Sequence, residues 1–208
     1  LCAGGRITQR AITEDDIGFS LAPRINAASR MDHPDLAFQL LTTQSREEAE
    51  ALARQLEQLN NQRKGVVAGI VKQAKKRARE RFGVDTRVTV LGDTAWKPAL
   101  LGLAANSVMG ERGGVVCLWG RDAAGVLKGS CRSDGRVSLV DLFANAPDVF
   151  EQYGGHANAG GFTVANERVH TLHEDMLLAA SASNAASPSS SPQPAAFDAA
   201  LLLSAISQ

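Results

Sequence analysis

The sequence predicts an α/β protein in which one long connecting helix leads into a mixed sheet flanked by helices, and three observations carry that prediction. Between Ser45 and about Phe82, apolar residues such as Leu52, Leu56, Leu59, Val67 and Ile70 recur at three- and four-residue steps, the spacing that gathers one stripe on a helix. From Thr86 onward short apolar runs alternate with helical patterns, the order expected of helices layered on a sheet. Within Tyr153–Phe162, Gly154, Gly155, Gly160 and Gly161 surround His156. Glycine at that density admits positive φ, lets the backbone approach a ligand closely and leaves N–H groups free to point at an anion.

Taken in order, residues 1 to 31 show no clear periodicity, although Thr13-Glu14-Asp15-Asp16 has the residues that cap a short helix. Pro34 suits the first turn of a helix running to about Thr42. Ser45 and Glu48 have the spacing of a capping box, which opens the long helix, and Gly83 is placed to stop it in the left-handed region. Gly65 and Gly69 cost this helix about 1 kcal/mol each and mark a place where it would bend or break. Its roughly 38 residues would span about 55 Å, which suits a spacer between two domains. Its last turns carry Lys72, Lys75, Lys76, Arg77, Arg79 and Arg81 against Glu80. That run reads either as a track for a nucleic-acid backbone or as a solvated face that complements the helix dipole.

Strands are predicted at Arg87–Leu91, Val115–Trp119, Val126–Ser130 and Gly161–Val164. Helices begin at Pro98, at Ser138 and near Glu167, the last reaching about Ala180. Residues 181–196 are a Ser/Pro/Ala-rich linker that cannot build a core. Phe197, Leu201, Leu202, Leu203 and Ile206 are spaced for a short amphipathic helix.

The 208 residues are 44% hydrophobic and 21% charged with zero formal net charge, which excludes a disordered or fibrous chain and means that any nucleic-acid contact must be a local patch. There is no apolar run of about eighteen residues and no signal-peptide pattern, so the expected location is the cytoplasm, away from membranes. Cys2, Cys117 and Cys131 are far apart with no Cys-x-x-Cys, which fits reduced thiols. The start at Leu1 suggests a fragment.

Two stretches carry chemistry. Lys128-Gly129-Ser130-Cys131-Arg132-Ser133 offers hydroxyls and a guanidinium fork, the donors that hold phosphate by charge-assisted bonds, and the glycine-rich stretch follows about twenty residues later. Two other groups are weak candidates for metal ligands. Asp32-His33 is followed by Pro34, and His170, His173 and Glu174 share a helix with no further ligand.

In order and spacing, Trp96-Lys97-Pro98, Gly129-Ser130-Cys131-Arg132-Ser133 and Gly154-Gly155-His156-Ala157-Asn158-Ala159-Gly160-Gly161 resemble the DHHA1 domain of the DHH phosphoesterase superfamily. Ala22-Pro23-Arg24-Ile25-Asn26-Ala27-Ala28-Ser29-Arg30-Met31 is similar to the segment that closes the catalytic domain in the RecJ-type single-strand-specific exonucleases, and the resemblance spans residues 6 to 180. It departs from the family at Lys97, where histidine is usual, and at Asn158 and Gly160, where alanine is common.

The resemblance implies a division into the end of a DHH catalytic domain (1–44), a connecting helix (45–84), a DHHA1 substrate-binding domain (85–180) and a linker with a terminal helix (181–208). It implies that Ser130, Arg132 and Ser133 bind a terminal phosphate, that Gly154, Gly155 and His156 approach the substrate, and that Arg24, Asn26 and Arg30 lie near the cleft. It further implies a Mn2+- or Mg2+-dependent 5′–3′ exonuclease of DNA repair and recombination. The cations would be bound mainly by a domain outside this chain, because the family's metal motifs lie upstream of the Pro-Arg-Ile-Asn stretch, Pro34 takes the place of a second histidine after Asp32-His33, and outside that pair the chain shows no cluster of aspartates and histidines able to hold two cations. No catalytic residue is therefore expected here, and the fragment alone would be inactive. The expected partners are single-stranded DNA and a single-strand-binding protein, with the chain a monomer. Two alternatives stay open: an oligoribonuclease or cyclic-dinucleotide phosphodiesterase of the same superfamily, and a non-catalytic nucleic-acid-binding module.

Overall fold

The computed structural model describes residues 1–2, 7–8, 10–83 and 86–186; the expected terminal helix and most of the expected linker lie outside them. At the N-terminal end, the Thr13 hydroxyl accepts from the Asp16 amide at 3.2 Å while the Asp16 carboxylate accepts from the Thr13 amide at 3.0 Å. These reciprocal bonds cap a helical run that passes through a π-turn at Asp16–Leu21 into α1 (Ala22–Arg30). Helix α2 (Pro34–Thr42) has Pro at its first position, as expected.

Helix α3 (Arg46–Arg81) is 36 residues long, and the Ser45 side chain accepts from the Glu48 amide at its start. It continues unbroken through Gly65 and Gly69. Its two halves bury different stripes. Leu52, Leu56 and Asn60 face α1 and α2, while Ile70, Ala74 and Ala78 face the sheet domain.

The sheet holds β1 (Val88–Gly92), β2 (Val115–Arg121), β3 (Leu127–Ser133), β4 (Gln152–His156) and β5 (Ala159–Val164) in the order β1-β2-β3-β5-β4. The β1–β2 pair is parallel, joined by α4 (Pro98–Arg112), and every other pair is antiparallel. On one face Leu91, Val116 and Leu118 pack beneath α4 and the second half of α3. On the other, Val90, Cys117, Leu127, Cys131 and Phe162 pack against α5 (Leu139–Ala144) and α6 (Leu172–Ala186). The mixed sheet with flanking helices, entered from a long helix, is the architecture that the sequence predicts.

Four local readings are corrected. The glycine-rich stretch is a two-stranded hairpin, β4 and β5, turning at Ala157 and Asn158. Strand β3 runs on to Ser133, so the Ser-x-Arg pair lies within a strand. The last helix begins at Leu172 and continues to Ala186, into the stretch read as linker. Cys117 and Cys131 are register partners on β2 and β3 and form a disulfide, in place of two separate thiols.

Candidate nucleic-acid interface

Strand register builds the site. Side chains two apart on a strand share a face, so Lys128, Ser130 and Arg132 all project from β3 toward the α4 side. Their neighbours on β5 are Thr163, Gly161 and Ala159, and beyond these on β4 lie Gln152, Gly154 and His156. Helix α4 covers β2 and β3 but stops short of the hairpin, and β4 is exposed along its length. The result is an open groove of about 550 Å3 whose lining includes Arg30, Gly102, Lys128, Ser130, Arg132 and Gly161.

Arg132 is the main cation of that groove. Its Nη1 donates to the Ser130 hydroxyl at 3.1 Å and to the Cys131 carbonyl at 2.7 Å. No carboxylate pairs with it among the described residues. Burial, and after it the charge of Arg30, lowers its pKa from the usual arginine value. Arg30 comes from α1 and is anchored by donating to the Ala99 carbonyl at 2.6 Å. Two guanidinium groups that repel one another across a groove, with no acid between them, form a site that an anion would neutralise.

Gly102, in the middle of α4, makes room for this arrangement. A Cβ there would stand 2.7 Å from Arg132 Nη2 and 3.1 Å from the Ser130 hydroxyl. Gly155 is required for a different reason. Its φ of 148° and a Cβ position 2.3 Å from the Ala159 carbonyl exclude any side chain in the hairpin. The hairpin tip is tied down by its own backbone, because the Asn158 carbonyl accepts from the Ser133 amide and the Ala157 carbonyl from the Leu139 amide.

The structure brings together Ser130, Arg132, Arg30 and the glycine row, with His156 on the row of Arg132. Asn26 lies on the adjoining surface with Ser29 and Arg30. Two expected site residues fall elsewhere. Ser133 has the opposite strand parity and is buried, and its hydroxyl donates to the Val137 carbonyl at 2.6 Å and accepts from the Gly135 amide. Arg24 is paired with Glu57 of α3 and donates to the Ser20 carbonyl, which joins α1 to the long helix. Lys128, Gln152, Thr163 and Gly102 were not singled out from the sequence. Strand alternation from Ser130 would have found Lys128, whereas the others needed the register and the helix packing.

The run of cations on α3 is largely engaged within the chain. Lys75 and Arg79 both reach Glu111 of α4, Lys76 pairs with Glu80, and Arg77 donates to Asp93 at 2.6 Å while lying over Trp96. Apart from Lys76–Glu80, which lies within the helix, these contacts fasten α3 to the sheet domain. Lys97 pairs with Asp32, so two residues that drew attention in the sequence hold each other. His173 packs on the Phe82 ring with centroids 4.6 Å apart. Among the described residues no group of three or more His, Cys, Asp or Glu side chains is placed to hold a metal ion.

Residues 85–181 match the family described as the DHHA1 domain. The chain is 32% identical over 171 residues to the single-stranded-DNA-specific exonuclease RecJ of Bacillus subtilis, an alignment covering 82% of this chain and 21% of that protein. It is 30% identical over 162 residues to its namesake from Haemophilus influenzae, covering 74% of this chain and 28% of the relative. Among solved structures it superposes on RecJ from Thermus thermophilus in complex with Mn2+ with a TM-score of 0.77 and 27% identity, covering 88% of this chain and 26% of the other. The corresponding Mg2+ complex gives 0.76 and 26%, covering 87% and 27%. The chain therefore spans only about a fifth to a quarter of the length of the relatives it matches.

Proposed function

The chain carries a DHHA1 domain of the RecJ type, and from that premise we propose that it supplies the strand-gripping half of a single-stranded-DNA-specific exonuclease. Its relatives are named as such exonucleases. The observation that carries the proposal is the pair Arg132 and Arg30, two guanidinium groups facing one groove with a serine hydroxyl between strand and helix and no acid to neutralise them. Arg132 supplies a planar fork that suits two phosphate oxygens, and Ser130 holds that fork in register. Bare backbone at Gly161 and Gly154 lets the strand lie close to the sheet. The work done by this chain is positioning: it fixes one phosphate so that the next bond along the strand meets the hydrolytic groups in a single register, a large part of the acceleration in phosphoryl transfer.

The residues described here do not form a site for the divalent cation present in the solved RecJ complexes. In our reading Mn2+ or Mg2+ would be held by a further domain of a longer protein, giving 5′–3′ hydrolysis in DNA repair and recombination. Single-stranded DNA would be the partner, alongside a single-strand-binding protein, and the cytoplasm the location. No helix among the described residues is long and apolar enough to cross a membrane. By itself this chain would act as a binding module.

The test is fluorescence anisotropy of the 208-residue chain with one single-stranded oligonucleotide, with and without a 5′ phosphate, at low salt. The phosphorylated strand should bind more tightly. Arg132→Ala should weaken it by about ten- to a hundredfold, since a charged hydrogen bond contributes about 1.5–3 kcal/mol. Equal binding of both strands, with Arg132→Ala within about twofold of the parent, would remove the reading.

A further inference from the structure

Ser130 and Arg132 are two members of a three-residue ladder. Lys128 stands two residues before Ser130 on the same face, beside Thr163 of β5, which stands beside Gln152 of β4. All three side chains line the groove that holds Arg132. Between this row and that of Arg132 lies a row made of Ser130, Gly161 and Gly154, two of whose three members have no side chain. The groove thus has a cation at each end and an open floor between them.

Each row is displaced from the next by two residues along the strand, so the Arg132 and Lys128 backbones stand two rows, about 13 Å, apart. Arg132 Nη1 reaches back to the Ser130 hydroxyl at 3.1 Å, which centres the first site on the Ser130 row, one row, about 6.6 Å, from Lys128. That separation resembles the distance between the two phosphates that flank one nucleoside. It is far larger than the distance between directly linked phosphorus atoms in a diphosphate. Lys128 is exposed and pairs with Asp122 at 2.8 Å. Asp122 also accepts from the amides of Ala124 and Val126 in the β2–β3 turn, so the acid has backbone donors of its own. An ion pair this open to water is weak, and Asp122 orients the ammonium group without consuming it.

We propose that Lys128, with the Gln152 amide and the Thr163 hydroxyl, forms a second phosphate subsite, so that the groove holds two phosphates one nucleoside apart. The proposal rests on Ser130 and Arg132 being the first phosphate site. It assigns the ladder a measuring role: the first site takes a phosphate, and the second accepts the ligand only when another phosphate follows at nucleoside spacing.

The experiment is an NMR titration of the 208-residue chain with thymidine 5′-phosphate, thymidine 3′,5′-bisphosphate and thymidine 5′-diphosphate at low salt. The bisphosphate should bind about tenfold more tightly than the monophosphate and should shift the amides of Gln152 and Thr163, with the diphosphate close to the monophosphate. Lys128→Met should remove the advantage of the bisphosphate while weakening the monophosphate far less. Equal binding of monophosphate and bisphosphate by the parent chain, or an advantage that survives Lys128→Met, would overturn the second subsite. A diphosphate that binds as tightly as the bisphosphate would overturn the nucleoside spacing. Arg132→Met separates a failure of the second subsite from a failure of the first. If it weakens both ligands the first site stands whatever Lys128 does, and if it weakens neither, the first site itself has failed.

Discussion

The two ends of the sheet are built on opposite rules. Strands β1 and β2 are rich in Val and Leu and buried on both faces, between α3 and α4 on one side and α5 and α6 on the other. The hairpin β4–β5 is rich in glycine, packs through Phe162 and Val164 on one face only, and leaves β4 exposed along its length. One continuous hydrogen-bonded ladder therefore serves two purposes. Where helices cover it, side chains fill the space and stabilise the fold. Where helices leave it open, side chains are few and the backbone itself becomes the surface. The divide runs along β3, whose Leu127 and Cys131 belong to the core while Lys128, Ser130 and Arg132 face the groove.

That contrast is broken most severely at its covered end. Leu91→Ala, at a position 1% exposed, should cost about 2–5 kcal/mol in denaturant unfolding, with phosphate binding retained in the fraction that remains folded. Gly154→Ala on the open floor, where an added Cβ meets nothing within 4 Å, should change stability by less than about 1 kcal/mol yet weaken binding of a phosphorylated strand. If the two substitutions had similar effects on stability, the hairpin would be a structural element like any other.

A second prediction concerns the covered end as pH changes. Burial, and after it the Arg81 charge, lowers the pKa of His173, with Glu174 opposing, and its ring nitrogen Nδ1 is buried without a partner. The unfolded chain thus binds the proton more readily than the folded one. The stability this neutral ring confers is present above the unfolded value near 6.5 and is lost as pH falls through the lower folded value. Thermal unfolding at about pH 7.5 and about pH 5.5 should show a lower Tm at the acid end, and His173→Phe should flatten that difference. A profile unaltered by the substitution would assign the pH dependence to other groups.

The smallest stability effect, and the sharpest test of the divide, is at Gly102. Alanine is the better helix former by about 1 kcal/mol, but its Cβ would press on Arg132 and Ser130. Gly102→Ala should raise or preserve Tm while reducing the preference for a 5′-phosphorylated strand. A variant that kept full preference would show that the guanidinium needs no space at that point.

Much of this was legible in the sequence, and the exceptions have physical causes. Helix α3 announced itself because its Ser45 cap and its three- and four-residue apolar repeat are both local signals. Helix α1 did not, since its buried face is made of the small residues Ala27 and Ala28, which leave no apolar stripe. The hairpin was hidden by composition: strands are ordinarily identified by β-branched and aromatic residues, and glycines that pair as strands look like a loop. Ser130 and Arg132 could be read from their chemistry, but that Arg30 joins them across about a hundred residues is a consequence of how α1 packs on α3. The pairing of Cys117 with Cys131 likewise follows from strand register, which their spacing of 14 does not reveal. Arg24 and Ser133 carried the right chemistry for an anion site and were claimed instead by Glu57 and by the turn after β3.

Helix α3 also sets a tolerance. Arg30 reaches the groove on α1, which is bound to the front half of the rod through Leu52 and Leu56 and through Arg24 with Glu57, whereas the sheet that carries Arg132 is bound to the rear half through Ala74, Ala78 and the Arg77 pair with Asp93. The two arginines are therefore gauged against each other along a common ruler as well as by the direct links at Lys97 and Ala99. Each residue inserted in such a ruler advances its far end by 1.5 Å and turns it by about 100°. The stretch from Glu57 to Arg77 is accordingly calibrated in length as well as in chemistry, and a single added residue there would put Arg30 out of phase with Arg132 without changing the identity of any residue in the groove.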